Sequence, residues 1–345
     1  MYGSSKNVTI GRIGAIAVDS SGRVFIANNQ QSTIDVFTPD GRYLTHLGGK
    51  GPGEFLSIFK LQIMRDQLYV YDENQLKECV FTLHPLALKN TITLAGNRDK
   101  YPALKKAFPY IEKLYVRNNN TYLAEFLSSV VSRNMHNPQK LPKKWQNYDT
   151  KGMFYLLNKD GDISSKKLFD FKNDTRIRLS NRFAGGLPLY YFFGVSWTVL
   201  SSKNNIYQAE PENFLIKVYS PHGASLHTFY YPHTKLLLTK KSASQYGLPD
   251  KFISEMKFMN LPKYWPVLVN MKIDDQNRLW VATTVQNMKV YQWWVLNPNG
   301  NLIARFTWPR DKYIKAIKNG YVYAMEKNKK GLTHFVRYKL KFKPS

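Results

Sequence analysis

Apolar positions along this chain recur in short runs rather than at helical spacing. The first part of the sequence contains four such runs, at residues 13–18, 23–27, 33–38 and 42–47. The runs are rich in β-branched and aromatic residues, which is typical of strands. Asp19-Ser20-Ser21-Gly22 separates the first two runs and Pro39-Asp40-Gly41 precedes the last. Because Pro fixes φ and Gly accepts a positive φ, these segments predict tight turns between four antiparallel strands.

This pattern is repeated along the chain. The phrase Gly22-Arg23-Val24-Phe25-Ile26-Ala27 leads to Phe37-Thr38-Pro39-Asp40-Gly41, and Asn205-Ile206-Tyr207-Gln208 leads to Tyr219-Ser220-Pro221-His222-Gly223 at the same spacing. Leu68-Tyr69-Val70-Tyr71 reaches Phe81 after an equal step. Repeated four-stranded units of this length predict the blades of a β-propeller, because each blade buries its faces only against its neighbours.

The repeats predict six blades in one domain that covers residues 1–345. The second strand of each blade falls near Val24, Leu68, Tyr122, Ile206, Leu279 and Val322. The third blade is predicted at 111–117, around Tyr122, and at 153–158 and 163–171, with an insertion over about 130–151. The last copy, at 314–317, 321–324 and 334–342, lacks a fourth strand. We expect residues 6–10 to supply it and so to close the ring without an open sheet edge.

The chain is strongly basic, with 50 Lys and Arg against 24 Asp and Glu and a formal charge of +26. Such a charge attracts anions, among which we consider acidic polysaccharide, anionic lipid and nucleic acid. The 130–151 insertion combines basic residues with an aromatic ring that could stack on a sugar or a base. The predicted ligand-binding residues are Arg133, Lys140, Lys143, Lys144, Trp145, Lys329 and Lys330. A solvated loop with Trp145 packed on the ring is the alternative interpretation of the insertion.

Other sequence features limit the choice of compartment. Cys79 is the only cysteine, so no intramolecular disulfide can form, and its strand context predicts a buried thiol. No apolar stretch is long enough for a transmembrane helix. The first residues lack the apolar region of a signal peptide. We therefore expect either a cytoplasmic protein or a mature form whose export segment has been removed.

Longer phrases of the repeat carry a resemblance to known propellers. These are residues 17–27, the run Gly48-Gly49-Lys50-Gly51-Pro52-Gly53-Glu54-Phe55, and residues 271–281. They resemble the six-bladed NHL and TolB-like propellers, especially a bacterial cell-envelope group, over residues 13–83 and 193–325. The resemblance implies a propeller fold and often an exported lipoprotein, and it implies no particular activity. It therefore favours the periplasm or the cell surface.

Phosphate, zinc and calcium sites differ in how well the residues fit them. The Gly48–Phe55 run lacks the Lys and Ser/Thr that a phosphate-binding loop needs after its last glycine. None of the seven histidines lies on a predicted innermost strand, where zinc ligands of a propeller would converge. Calcium prefers oxygen ligands, and the polar residues after the second strands offer Asn28, Asp72, Glu73 and Glu210. Calcium is therefore the candidate ion of the alternative function.

The sequence as a whole predicts a non-enzymatic binding or scaffold propeller. Its expected partner is an anionic polysaccharide or an envelope protein, recognised on one face of the ring, and no cofactor is predicted. The alternative is a metal-dependent lactonase, hydrolase or lyase acting at the mouth of the central channel. Nucleic-acid binding rests on charge alone, because no recognition motif accompanies it.

Overall fold

The computed structural model describes residues 2, 13–49, 54–129, 146–178, 194–258, 261–327, 331 and 333–342. These residues form six antiparallel sheets, in each of which the strands follow one another in chain order. The sheets are the blades of a ring, so the chain is an all-β, six-bladed propeller. The predicted fold class is confirmed.

Each blade begins with its innermost strand and ends with its outermost strand. Blades one to three contain β1 (Ile13–Val18), β2 (Val24–Asn28), β3 (Thr33–Phe37), β4 (Tyr43–Gly48), β5 (Ile58–Met64), β6 (Gln67–Asp72), β7 (Lys77–Leu83), β8 (Leu86–Thr93), β9 (Lys113–Val116), β10 (Tyr122–Ser129), β11 (Gln146–Leu157) and β12 (Asp170–Arg178). Blades four to six contain β13 (Trp197–Leu200), β14 (Ile206–Ala209), β15 (Leu215–Tyr219), β16 (Ser225–Tyr230), β17 (Leu268–Ile273), β18 (Leu279–Thr284), β19 (Val290–Leu296), β20 (Leu302–Pro309), β21 (Tyr313–Lys318), β22 (Tyr321–Lys327) and β23 (Thr333–Lys339).

The six innermost strands surround a central channel. β1 contacts β5 and β21, β5 contacts β9, and β17 contacts both β13 and β21. The remaining gap is bridged where the Tyr115 hydroxyl of β9 donates to the Thr198 carbonyl of β13 at 2.8 Å. Any polar side chain on these strands is therefore brought close to others that are distant in the sequence.

The turns between first and second strands share one backbone conformation. The residue one or two positions before each second strand has a positive φ, at Gly22, Asp66, Asn120, Asn204, Asn277 and Asn319. Gly, Asn and Asp tolerate this left-handed conformation best, which explains why they recur at the start of each repeated phrase. In two turns an aspartate also holds the arginine four residues later, with Nε to Oδ2 distances of 2.7 Å for Arg23 to Asp19 and 2.6 Å for Arg278 to Asp274.

These turns are linked around the face on which they lie, which we call the lower face. The hydrogen bonds between neighbouring turns run from Asn118 N to Asn204 Oδ1 (3.1 Å), Ser202 N to Asn277 Oδ1 (2.7 Å), Asn319 N to Asp275 Oδ2 (2.8 Å) and Asn319 Nδ2 to Asp19 O (2.9 Å). The lower face is thus tied from blade three through blade six to blade one. The repeated polar residues of these turns are therefore engaged in hydrogen bonds that hold neighbouring blades together.

The opposite, upper face carries the longer described connections. There the second strand of a blade passes to the third, and the fourth strand passes to the next blade. Between β8 and β9 lie two 3₁₀ turns, at Arg98–Lys100 and Leu104–Lys106. Between β16 and β17 lies a helical insertion, residues 231–267, with α1 (Lys240–Tyr246), α2 (Asp250–Glu255) and a 3₁₀ turn at Met256–Phe258. No helix within the described residues is long and apolar enough to cross a membrane.

The observed elements differ from the predicted ones in the third blade, and a helical insertion lies between blades four and five. The outer strand of blade three was predicted at 163–171, but β12 begins at Asp170, and Ile163 makes only an isolated bridge to Leu157. The predicted insertion ended at residue 151, whereas β11 already begins at Gln146 and pairs with β12 from there. The helical insertion was not predicted, since its helices are too short to show a clear 3.6-residue period.

The last blade has three described strands, and Tyr2 adds to its outer edge. Tyr2 N donates to Phe335 O at 2.9 Å, and Phe335 N donates to Tyr2 O at 3.2 Å. The Tyr2 ring is buried between Phe37 of blade one and Tyr323 of blade six, and its hydroxyl donates to the Pro39 carbonyl at 2.7 Å. The predicted closing strand, residues 6–10, lies outside the described residues.

Apolar residues fill the spaces between adjacent blades. Phe25 and Ala27 of blade one pack with Leu68 and Val70 of blade two, together with the buried thiol of Cys79. The adjacent Trp293 and Trp294 point to opposite sides of their sheet, one towards blade six and the other towards blade four. Both indoles are buried, so they belong to the packing between blades.

Because Tyr2 links the first and last blades, we expect its removal to weaken the ring. Tyr2→Ala should lower the free energy of unfolding by about 3 kcal/mol, since a large buried ring is lost. Tyr2→Phe keeps the ring and loses one hydrogen bond, so its cost should be about 1 kcal/mol. Urea denaturation followed by tryptophan fluorescence measures both changes. Equal stability of Tyr2→Ala and the unmodified protein would show that Tyr2 does not hold the ring closed.

Candidate functional site

Four innermost strands each contribute a lysine to the central channel. Lys60 lies on β5, Lys113 on β9, Lys272 on β17 and Lys315 on β21. Each lysine is half-buried, so protein surrounds the side chain while part of it still contacts water. The positive charges are coupled, because Lys113 and Lys272 both lower the pKa of Lys60. The channel is therefore a cationic site in a partly desolvated environment.

Lys60 reaches from blade two to blade three. Its Nζ donates to the Leu114 carbonyl at 2.5 Å and lies 3.5 Å from the centroid of the Tyr115 ring. Burial lowers the pKa of Lys60 to about 7, and the attraction of Glu78 only partly opposes this shift. A lysine with such a pKa is a mixture of charged and neutral forms at neutral pH.

Lys113 has a direct counter-ion. Its Nζ lies 3.0 Å from Oε2 of Glu125, whose side chain is completely buried, and it donates to the Ser196 carbonyl at 3.2 Å. Burial raises the pKa of Glu125, and the neighbouring Lys113 acts in the opposite direction. This ion pair lies within blade three and uses one of the four channel charges, whereas the hydrogen bond to Ser196 joins blade three to blade four.

Lys272 and Lys315 have no carboxylate partner within the described part of the chain. Burial lowers the pKa of Lys272 to about 8, and repulsion from Lys315 adds to the effect. Burial also lowers the pKa of Lys315. An anion that entered the channel would be attracted to both amines and would favour their charged forms. The arrangement can therefore bind a negatively charged group.

Glu78 is a second buried carboxylate near the channel. It lies on β7, faces blade three beside Tyr69 and Tyr122, and is 2% exposed. Burial raises the pKa of Glu78 to about 8, with Lys60 opposing the shift. Its Oε2 has no hydrogen-bond partner among the described residues. Interacting groups with such strongly shifted pKa values, here Lys60 on β5 and Glu78 on β7 of the same blade, are typical of functional sites.

The four residues considered as calcium ligands lie at the upper ends of second strands and make structural contacts. Asp72 accepts hydrogen bonds from the backbone N–H groups of Leu56, Asn74 and Gln75 at 2.7, 3.1 and 3.2 Å. Asn28 donates to Asp35 at 3.1 Å, and Glu210 pairs with Lys217 at 3.0 Å.

Glu73 is half-buried, and its pKa is raised by burial first and by Glu112 and Asp72 next. Within the described residues, no three His, Cys, Asp or Glu side chains are grouped so that they could hold a metal ion.

The predicted basic ligand-binding residues lie outside the described part of the chain. They are Arg133, Lys140, Lys143, Lys144, Trp145, Lys329 and Lys330. The described strands that flank them are informative nevertheless. β10 ends and β11 begins at the upper face of blade three, and β22 ends at the upper face of blade six. The described strand ends next to both groups thus lie on the same face.

Comparison with known proteins supports the fold and does not identify a ligand. A family model, DUF5128, described as a 6-bladed beta-propeller, matches residues 4–138. The solved structure of a DUF4221 family member from Bacteroides vulgatus is similar with a TM-score of 0.53 and 11% identity, over 98% of this chain and 96% of that one.

A calcium-binding protein, regucalcin, from Agrobacterium tumefaciens aligns with a TM-score of 0.44 and 10% identity, over 96% and 92% of the two chains. No curated protein matches the sequence. The class defined by these comparisons and by the structure is the six-bladed β-propeller.

Sequence analysis did not identify the channel lysines. Three of the inner strands that carry or adjoin them contain a register irregularity, between Ile58 and Lys60, Leu268 and Asn270, and Ile314 and Ala316. A bulge shifts the alternation of inward-facing and outward-facing side chains by one residue. The side of the strand on which a lysine lies therefore cannot be predicted from the two-residue period alone. The sequence signal that could have revealed this site is the presence of a lysine on the first strand of four of the six repeats.

The raised pKa of Glu78 predicts a pH-dependent cost to stability. A carboxyl whose pKa is higher in the folded state stabilises the fold when protonated, and this contribution is lost as the pH rises from about 4.5 to about 8. Glu78→Gln replaces the carboxyl by an amide that does not ionise, so the variant does not lose this stability as the pH rises. The variant should therefore gain stability relative to the unmodified protein over this interval, by roughly 4 kcal/mol at pH 8.

Urea denaturation at a series of pH values measures the difference. Glu54→Gln, at an exposed glutamate, is the matched control and should show no such trend. A stability difference for Glu78→Gln that stays constant between pH 4.5 and pH 8 would contradict the assignment.

Proposed function

We propose that the protein is a non-enzymatic binding propeller that holds an acidic polysaccharide on its upper face, with charged groups of the polymer reaching the channel lysines. The observation that carries the proposal is the pair Lys272 and Lys315. Both amines lie on innermost strands, both have a lowered pKa, and neither has a carboxylate partner in the described residues.

The energetic argument follows from the partly buried position of these amines. A carboxylate about 4 Å from an ammonium group is attracted by roughly 4 kcal/mol at an effective dielectric constant near 20. Part of this gain is offset by the removal of water from both charges. Because burial already weakens the hydration of Lys272 and Lys315, less solvation remains to be lost when an anion binds.

The distribution of connections supports the choice of the upper face. On the lower face, the described turns of blades three to six and blade one are tied to one another by hydrogen bonds. The upper face carries the helical insertion and the described ends of β10 and β22. Binding residues commonly lie on such loops, which a rigid scaffold holds in position.

The proposal includes a location in the periplasm or on the cell surface. Its support is the resemblance of the repeated phrases, such as residues 17–27, to propellers of the bacterial cell envelope. Detection of the protein by antibody in cell fractions of its native host measures the location. Recovery in the cytoplasmic fraction alone would contradict this part of the proposal.

The binding proposal is tested with polygalacturonate as the acidic polysaccharide and dextran as the neutral one. We expect polygalacturonate alone to bind, with an affinity that falls as salt shortens the Debye length from about 30 Å at 0.01 M to about 3 Å at 1 M. The double substitution Lys272→Gln and Lys315→Gln should weaken binding roughly tenfold or more. Isothermal titration calorimetry measures these affinities.

The matched control is the double substitution Lys89→Gln and Lys203→Gln, which removes the same charge at two exposed lysines. Equal weakening by both double variants would show that net charge, not the channel, attracts the polymer. Binding of polyglutamate in preference to polygalacturonate would replace the polysaccharide by an acidic protein partner. Binding of dextran as tight as that of polygalacturonate would refute the proposal.

A further inference from the structure

Blades three and four meet through a row of polar side chains as well as through apolar packing. On blade three, Lys113 and Glu125 are neighbours across β9 and β10, on the side that contacts blade four. On blade four, Thr198 and Gln208 are neighbours across β13 and β14. Ile206, two residues before Gln208 on β14, packs against blade three, so Gln208 and Thr198 face blade three as well. We call this contact between the two blades the polar joint.

Several groups of the polar joint are buried without a hydrogen-bond partner. Gln208 is completely buried, and neither Nε2 nor Oε1 of its amide has a partner among the described residues. The same holds for Thr198 Oγ1 and for Oε1 of the completely buried Glu125. Burial raises the pKa of Glu125, which agrees with poor solvation of its charged form. These groups have lost water without replacement, so the closed joint carries an energetic cost that hydration would remove.

Two other joints are filled by apolar side chains instead. Ala209, the residue after Gln208, faces blade five and packs with Leu268 and Val281. Between blades one and two, the completely buried Cys79 lies in an apolar cluster. Innermost strands β1 and β5 contact each other directly, as do β13 and β17, whereas the Tyr115 side chain bridges β9 to β13. Apolar burial therefore holds the polar joint together less than it holds these two joints.

The lower and outer parts of the polar joint are firmly connected. The turn between β9 and β10 is hydrogen-bonded to the turn between β13 and β14 on the lower face. Arg117 Nη2 donates to the Pro221 carbonyl at 3.1 Å, again from blade three to blade four. The rings of Phe169 and Tyr219 stack across the joint with centroids 4.0 Å apart and an interplanar angle of 12°. This part of the joint can serve as a hinge.

The contacts of the upper part are weaker. Because β13 runs from the upper to the lower face, Thr198 and its neighbours lie above the apolar cluster. Here the Tyr115 hydroxyl donates to the Thr198 carbonyl at 2.8 Å. Lys172 and Glu212 form an ion pair of 3.2 Å, but their side chains are 39% and 44% exposed, so the pair adds little stability. Ser196, immediately before β13, donates its N–H to a carbonyl of β12 at 2.7 Å and can stay with blade three when β13 moves.

We propose that the upper parts of blades three and four separate locally and admit water between Glu125 and Gln208, while the lower part acts as the hinge. Hydration of the buried polar groups then offsets the loss of the Tyr115 hydrogen bond. Regions with few buried apolar contacts are the ones that open at the lowest free energy. Because Lys113 belongs to both the joint and the channel, this opening also widens the upper end of the channel. Opening can be measured without any ligand, so it does not depend on the proposed function.

The test is the rate at which buried thiols react with iodoacetamide under native conditions, measured by peptide mass spectrometry. Thr198→Cys introduces a thiol of similar size into the polar joint, and Cys79 reports on the joint between blades one and two in the same molecule. We expect the thiol at position 198 to react roughly tenfold faster than Cys79 or more, after each rate is divided by the rate in urea-unfolded protein. A tenfold difference corresponds to about 1.4 kcal/mol in the free energy of opening.

A matched pair on β14 repeats the test at neighbouring residues. Gln208→Cys puts the thiol in the polar joint, whereas Ala209→Cys puts it in the apolar joint with blade five. In both variants Cys79 is replaced by Ser, and circular dichroism checks that they fold. We expect fast reaction at position 208 and slow reaction at position 209. Equal rates at positions 208 and 209, or at position 198 and Cys79, would overturn the proposal.

Gln208→Met in the Thr198→Cys protein tests the cause of opening. Methionine has a similar length and removes both unpartnered amide groups, so the closed joint should become more stable and the reaction at position 198 should slow about tenfold. Cys79 should react at an unchanged rate. Gln276→Met, at an exposed glutamine, is the matched control and should change neither rate. An unchanged rate at position 198, or equal slowing at Cys79, would show that the polar groups do not drive local opening.

Discussion

Closure of the ring is the constraint on which the rest of this structure depends. A twisted four-stranded sheet buries its two faces only when another blade covers each of them. Blades that carry apolar side chains such as Phe25, Leu68 and Trp280 therefore need a neighbouring blade on each side. The chain meets this requirement with six sheets and with Tyr2, which pairs with the last strand and packs against the first blade. The same closure forces the innermost strands together around one axis.

This crowding explains the unusual chemistry of the channel. Lys60, Lys113, Lys272 and Lys315 are far apart in the sequence, and each would be an ordinary solvated lysine on an isolated sheet. In the ring they share one partly desolvated space, where burial and mutual repulsion lower the pKa of Lys60 and Lys272. Within the described residues, only Lys113 among the four forms an ion pair, with Glu125. The packing that stabilises the blades thus concentrates positive charge at the axis.

The two faces of the ring have different roles for a related reason. On the lower face, short turns with a left-handed residue bring Asn204, Asn277 and Asn319 close enough to bond to the neighbouring blade. Little space remains there for added chain. The upper face tolerates insertions, and the insertion between β16 and β17 builds an aromatic pocket from Tyr246 and Trp265 together with residues of two blades. The helical insertion thus lies on the same face as the proposed binding site.

The sequence by itself determined the fold class, the six blades and most strand positions. These features follow from local physics: period-two alternation, β-branched and aromatic strands, and turns whose Gly, Asn or Asp adopts a positive φ. The third blade was predicted less well, because the long β11 and the late start of β12 depend on pairing between distant segments.

Only the tertiary structure decided that four lysines meet in the channel, that Glu78 is buried opposite Lys60, and that Tyr246 stacks on Trp265. Each of these contacts joins residues from different strands or from separate parts of the helical insertion, and its energy depends on distances and solvent exclusion that no local pattern contains.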